Sequence, residues 1–222
     1  MTGRRRYDDP CGIARALDAV GERWALLVVR ELLFGPKRFA ALSRGLPGMS
    51  QNVLSQRLRD LEEGGIVHRR TLGPPASTRV YELTPRGREL EPVLLALAEW
   101  GRKSPLGAHD TEMSVDAMML ALRTTFDPTA AQGLDVRVAL RFDDHLFVAE
   151  IRSGHLHVAR ADEPVRADAT FDTDVATLRS LVFGRSSLPA NSPFLQGAPD
   201  LAARFLACFS GPQPAAPADT SQ

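Results

Sequence analysis

Residues 50–64 read SQNVLSQRLRDLEEG, and the rest of the first half of the chain is organised around this stretch. Leu54, Leu58 and Leu61 recur at the i, i+4, i+7 spacing of a buried helix face, with Val53 beside them. At about 100° per residue, Asn52, Gln56, Arg59 and Glu63 then point to the opposite side. Ser50 is a good N-cap, and Pro47-Gly48 just before it is a turn signal. A short helix over 39–46, a turn and a second helix therefore follow one another closely. The outer face of the second helix carries amide and guanidinium groups in its first half. Such groups read base edges, Asn and Gln bidentate to adenine and Arg to guanine. The same face would also serve as the solvated side of an ordinary helical domain, so its neighbours decide.

Upstream, Asp9-Pro10 suits an N-cap followed by proline at the first helical position. A helix is predicted from there to Val20, with Ile13, Ala16, Leu17 and Val20 on one face, and Gly21 breaks it. Residues 22–34 read as a largely buried apolar helix (Trp24, Leu27, Val28, Leu32), ended by Gly35-Pro36. Lys37-Arg38 opens the next helix, which turns Phe39, Leu42 and Leu46 inward. Downstream of Gly64-Gly65 the periodicity changes. Residues 66–72 and 79–83 are extended in character, joined by Gly73-Pro74-Pro75-Ala76-Ser77 and flanked by Arg69, Arg70 and Arg79. A hairpin directly behind a recognition helix is a wing. Thr84-Pro85 caps a helix predicted over 86–103, with Leu90, Val93, Leu94, Leu97 and Trp100 in a broad apolar stripe. So large a stripe at the edge of a small domain predicts that part of it meets a second protomer.

The 222 residues suit one or two domains, and their zero net charge hides an asymmetry. Residues 1–105 hold 18 Lys and Arg against 12 Asp and Glu, a net +6, and residues 106–222 hold 9 against 15, a net −6. The first part can approach a polyanion, whereas the second would make a poor nucleic-acid binder. No run approaches the roughly 18 apolar residues of a membrane span, so membrane insertion is not expected. The opening MTGRRRYDDP has the charges of a signal peptide without an apolar stretch after them, which argues against secretion. Cys11 and Cys208 are too far apart in sequence for a metal or disulfide framework and point to a reducing, cytoplasmic compartment.

Residues 105–112 read as a linker. Beyond them a helix is predicted over 113–126, with Val115, Met118, Met119, Leu122 and Phe126 inward. Strands follow over 136–142, 145–152 and 155–160, turning at Asp143-Asp144 and Ser153-Gly154, with a fourth over 167–173. Asp174 caps a helix through Phe183, and Asp200 begins another through Phe209. The Pro/Ala-rich residues 211–222 are expected to be disordered. The fold class is α+β: a winged helix-turn-helix over 1–104, then over 113–210 an antiparallel sheet covered by helices.

The first half resembles the HxlR-type winged helix-turn-helix family, relatives of the MarR repressors. The matching phrases are Cys11-Gly-Ile-Ala-Arg-Ala-Leu-Asp, Gly21-Glu-Arg-Trp, Glu31-Leu-Leu-Phe-Gly-Pro-Lys-Arg-Phe and Leu46-Pro-Gly-Met-Ser. Val53-Leu-Ser-Gln-Arg-Leu-Arg-Asp-Leu-Glu, Tyr81-Glu-Leu-Thr-Pro-Arg-Gly and Ala98-Glu-Trp-Gly continue the match over residues 8–104. The resemblance implies cytoplasmic homodimers on double-stranded operator DNA, with terminal helices in the dimer interface. The second half, through Ala169-Thr-Phe-Asp-Thr-Asp, Leu181-Val-Phe-Gly, Gln196-Gly-Ala-Pro-Asp-Leu and Phe205-Leu-Ala-Cys-Phe, looks like a sterol-carrier-protein domain. That likeness implies an apolar tunnel for a small lipid-like ligand, although the usual Gly-Asp before the last helix is here Gly197-Ala198-Pro199-Asp200.

Phosphate contacts are expected from Lys37, Arg38 and the wing's Arg79, and at the helix N-terminus from Ser50 and Gln51. Asn52, Ser55, Gln56 and Arg59 are the base-reading candidates. Cys11, in the first turn of its predicted helix and preceded by Arg4 to Arg6, is a redox-sensing candidate, though Asp8 and Asp9 work against a stabilised thiolate. The resemblance adds that some relatives carry a redox-sensing cysteine at the matching position. Cys208 reads as core. No catalytic, cofactor or metal constellation emerges, since His155 and His157 alone share a strand face and lack a third ligand at a recognisable spacing. The expected function is a homodimeric repressor modulated by an apolar ligand or by thiol oxidation. The rival is a lipid-like ligand carrier whose winged domain serves protein contact, and the basic first half argues against it.

Overall fold

The computed structural model describes residues 7–73, 77–103, 112–184, 188–189 and 191–209. The expected wing tip at 74–76, the linker but for Glu112, the 211–222 tail and Arg4 to Arg6 lie outside them. The chain divides into two compact units, Met1–Leu94 and Leu95–Gln222.

In the first unit, α1 (Gly12–Val20), α2 (Ala25–Leu32), α3 (Phe39–Gly45) and α4 (Gln51–Glu63) precede the hairpin β1 (Val67–Thr71) and β2 (Arg79–Leu83). Helix α4 forms as its sequence dictates. The Ser50 hydroxyl accepts from Val53 N at 3.3 Å, and Leu54, Leu58 and Leu61 are buried where α4 packs against α1 and α2. Val53 corrects the expectation, since it stands partly exposed on the outer side.

Helix α2 starts three residues later than predicted because Trp24 takes a left-handed conformation, φ 79°, which no helical residue shares. Helix α1 buries Ala14 and Val20, whereas Ile13, Ala16 and Leu17 face outward, so of its expected apolar face only Val20 meets the core. The single helix predicted over 86–103 is two: α5 (Pro85–Arg88), capped by Thr84, and α6 (Glu91–Gly101). Pro92, unable to donate to the preceding turn, accounts for the break. Of the predicted stripe on α6, Leu94 is buried and Val93, Leu97 and Trp100 are exposed.

The second unit, after the later part of α6, holds α7 (Val115–Thr125), capped by Ser114, followed by strands β3 (Val136–Phe142), β4 (His145–Arg152), β5 (His155–Ala161) and β6 (Ala169–Asp172). Then come α8 (Val175–Phe183), β7 (Leu195–Gly197) and α9 (Pro199–Leu206). The sheet order is β5-β4-β3-β6-β7. Strands β3, β4 and β5 form the expected meander, but β6 lies parallel to β3, and β7, which sequence reading missed, pairs antiparallel with β6. The sheet is therefore mixed, which corrects the all-antiparallel expectation. Gly197 is required at the last crossing: its φ is +98°, and a Cβ there would lie 2.3 Å from the Asp168 carbonyl oxygen.

The register aligns Leu140 with Phe147 and Phe171, and Phe147 with Arg160. This sheet face is buried, with α7 packed against β5 and α9 against β3. Phe147, Phe171, Phe205, Met118 and Met119 supply its largest side chains. No helix among the described residues is long and apolar enough to cross a membrane.

Candidate nucleic-acid interface

The helix–turn–helix is α3, Leu46 to Ser50, and α4. Its turn is held by burial of Leu46 and Met49 and by Gly48 at φ +83°. This leaves the first turn of α4 uncovered: Ser50, Gln51 and Asn52 are exposed, Ser55 is half-buried, and Gln56 and Arg59 are exposed. The helix N-terminus there presents backbone N–H groups suited to a phosphate.

Gln56 and Arg59 are not independent. Arg59 Nη2 donates to Gln56 Oε1 at 2.6 Å, and Gln56 Nε2 donates to Asp60 Oδ1 at 2.8 Å. Arg57 Nη1 closes on Asp60 Oδ2 at 3.0 Å and reaches Glu22 at 3.5 Å. An arginine only donates and a carboxylate only accepts, so the amide orientation follows from its two neighbours. Asp60 was missed as a member of this face, although its i, i+4 spacing from Gln56 is the signal that would have found it.

Arg38 is the N-cap residue of α3 and is exposed. Lys37 is not where sequence reading put it. Its side chain is buried, and Nζ lies 2.8 Å from Glu31 Oε2, so the ammonium is turned into the interior.

On the wing, β1 and β2 pair from Val67↔Leu83 to Thr71↔Arg79. Arg79 is exposed at the tip end and makes no ion pair among the described residues. Arg70 is drawn to Glu82 at 3.1 Å, and Arg69 to Glu62 at 2.7 Å. Arg69 also lies 5.5 Å over the Tyr81 ring. The hydrogen bond to Glu62 holds the Arg69 guanidinium above its ordinary pKa. The wing is thus tied to the C-terminal end of α4, and Glu62 is neutralised there.

Cys11 is exposed and is the N-cap of α1, one position before the first turn expected for it; its N–H donates to Asp9 Oδ1 at 2.8 Å. Cys208 is buried as expected, with its Sγ 3.2 Å from the Arg204 carbonyl, and burial pushes its thiol pKa up. Among the described residues no group of three or more His, Cys, Asp or Glu could hold a metal ion.

Comparison with known proteins divides the chain in a similar way. Residues 19–106 match the family model described as HxlR-like helix-turn-helix, and residues 107–215 match the one described as alkyl sulfatase C-terminal. An uncharacterized HTH-type transcriptional regulator of Synechocystis sp. is 44% identical over 92 residues, 41% of this chain and 67% of that protein. The uncharacterized HTH-type transcriptional regulator YdeP of Bacillus subtilis is 36% identical over 93 residues, 42% of this chain and 73% of its own length. A Mycobacterium bovis regulator of the same kind is 43% identical over 89 residues, 40% of this chain, and the chain spans only 56% of it. Among solved structures, quinone-bound YodB from B. subtilis is 32% identical, covering 41% of this chain and 97% of its own, with a TM-score of 0.36.

Proposed function

Because this chain belongs to the HxlR-like helix-turn-helix family of transcriptional regulators, we propose that it recognises a specific operator by laying the first half of α4 in the major groove. The observation that carries the reading is the outer face of α4. Asn52, Gln56 and Arg59 stand exposed there, while Leu54, Leu58 and Leu61 hold the helix in place from beneath. Arg38 and Arg79 flank this face and supply phosphate contacts, and Ser50 and Gln51 offer a helix N-terminus to another. Glu63, exposed near the end of α4, keeps the helix's second half off the backbone.

The acting species is a homodimeric, cytoplasmic repressor. Two outward apolar surfaces support the dimer: Ile13 and Leu17 on α1, and Val93, Leu97 and Trp100 on α6, with Ile13 72% and Trp100 70% exposed. The C-terminal unit is read as a non-enzymatic, sterol-carrier-like sensor for a small apolar molecule, supported by the Met118, Met119, Phe147, Phe171 and Phe205 interior between its sheet and helices. Thiol oxidation is a second input, favoured by the exposure of Cys11.

The test is binding to duplex DNA from upstream of its own gene. Gln56→Ala is expected to lose discrimination at one base position by roughly 1–3 kcal/mol, and Arg79→Ala to weaken binding evenly across sequences. Two mutants that bind like the parent would remove this face from the interface. Native mass spectrometry of the purified protein reports the dimer and any co-purified apolar ligand together. Operator binding insensitive to diamide, with Cys11→Ser behaving as the parent, would end the redox input.

A further inference from the structure

We infer that Lys37 is a positioning residue, which keys the wing to the helix-turn-helix through Glu31 and makes no contact with DNA itself. Glu31, on α2, is wholly buried, and a carboxylate so placed is costly unless it is paired and hydrogen-bonded. Arg30 Nη2 lies 2.9 Å from Oε1, and Lys37 Nζ lies 2.8 Å from Oε2. The glycine that ends α3 leaves room for it: a Cβ on Gly45 would lie 2.3 Å from Glu31 Oε2.

The backbone of Lys37 meanwhile pairs in both directions with the wing. Its N–H donates to the Tyr81 carbonyl at 3.0 Å, and the Tyr81 N–H donates to the Lys37 carbonyl at 2.8 Å. One residue therefore joins α2, the entry to α3 and strand β2. Extended backbone sends successive side chains to opposite sides, so seating Lys37 inward turns Arg38 outward. An ammonium engaged with an internal carboxylate displaces no counterions from DNA. Lys37 therefore acts on affinity only through where the wing and Arg38 stand.

The affinity arm of the test rests on the DNA-binding reading above, and the exchange arm does not. Kd for the duplex upstream of its own gene is measured across salt concentrations for Lys37→Met and Arg38→Ala, each verified as folded by circular dichroism. Amide exchange of Tyr81 is followed in parallel. In Lys37→Met we expect Kd to rise about tenfold with the salt slope of the parent, whereas Arg38→Ala should reduce that slope by about one. Tyr81 should exchange about tenfold faster in Lys37→Met and unchanged in Arg38→Ala.

A Lys37 variant that lowers the slope as Arg38→Ala does would overturn the assignment, and so would one that leaves Tyr81 protection as in the parent. A purely structural role would leave Kd at the parent's value in the folded variant. Should Lys37→Met not fold, Glu31→Gln, which keeps an acceptor and removes the charge, carries the same two readouts in the same directions. If the parent itself shows no specific binding, the DNA reading fails while Tyr81 exchange still decides the strut.

Discussion

Glu31 in the N-terminal unit and Asp116 in the C-terminal unit are both shut away from water, at 0% and 1% exposure, yet their partners lead to different places. Lys37 leads from Glu31 through its own backbone to the wing. Arg160 leads from Asp116, on α7, across the core face of the sheet, gripping both carboxylate oxygens at 2.9 and 3.1 Å. It lies 4.5 Å over the Phe147 ring and reaches His145 Nδ1 at 3.0 Å. The first arrangement sits beneath a basic outer surface and orients it. The second sits within an acidic half and braces a helix on an edge strand. The same chemistry, a buried ion pair, thus serves presentation in one unit and packing in the other.

The comparison breaks most easily at Arg160. Replacing it with Ala takes this ion pair from the buried Asp116 and should destabilise the C-terminal unit by about 3 kcal/mol, read from urea unfolding. Changing Asp116 and Arg160 together to apolar residues should cost clearly less, because no uncompensated charge remains. If Arg160→Ala unfolds at the parent's denaturant concentration, the pair is not a brace. In the N-terminal unit the matching probe is Gly45→Ala, whose methyl would press on Glu31 Oε2. Overpacking of this kind should cost roughly 1–3 kcal/mol. Because the strained group is the one that holds Lys37, Tyr81 amide protection should fall along with it.

Much of this arrangement was legible in the sequence. Ser50 and the Leu54, Leu58, Leu61 spacing located α4 to within a residue, and Asp143-Asp144 placed the turn between β3 and β4. What was missed has physical causes. Alternation identifies a strand but says nothing about the direction of its partner, so the parallel pairing of β6 with β3 was invisible. Leu195–Gly197 is too short to show a period at all. Periodicity likewise gives Ile13 and Leu17 a common face without saying whether that face meets the core or the outside. Lys37 was misplaced because residue type predicts exposure for lysine, and only the fold brings Glu31 close enough to hold it. The exposure of Asn52, Gln56 and Arg59 on α4 follows from the leucine spacing, while the hydrogen bonds coupling Gln56 to Arg59 and Asp60 appear only in three dimensions.

The units differ in a smaller way at their helix caps, and the difference predicts how each answers acid. In the N-terminal unit, α4 and α5 are capped by hydroxyls, Ser50 accepting from Val53 N and Thr84 from Gly87 N, and neither titrates. Ser50→Ala should cost about 1 kcal/mol at any pH, measured by thermal or urea unfolding.

In the C-terminal unit, α8 is capped by a carboxylate. Asp174 Oδ1 accepts from Thr177 N at 2.7 Å and Oδ2 from the Thr177 hydroxyl at 3.1 Å. These bonds, the backbone one first, hold its pKa below the ordinary 3.8. Folding thus favours the ionised form. Its contribution is present above the unfolded-state pKa and is lost as pH falls through the lower folded-state value, so the window lies below about pH 4. Asp174 is exposed, so solvent screening keeps this contribution to roughly a few tenths of a kcal/mol. Asp174→Asn keeps an oxygen for the Thr177 amide and removes the titration. The parent should lose Thr177 amide protection relative to Asp174→Asn as the pH is lowered through that window. Two curves that run parallel would mean that the charge at this cap contributes nothing, and the two units would then respond to acid alike at their helix ends.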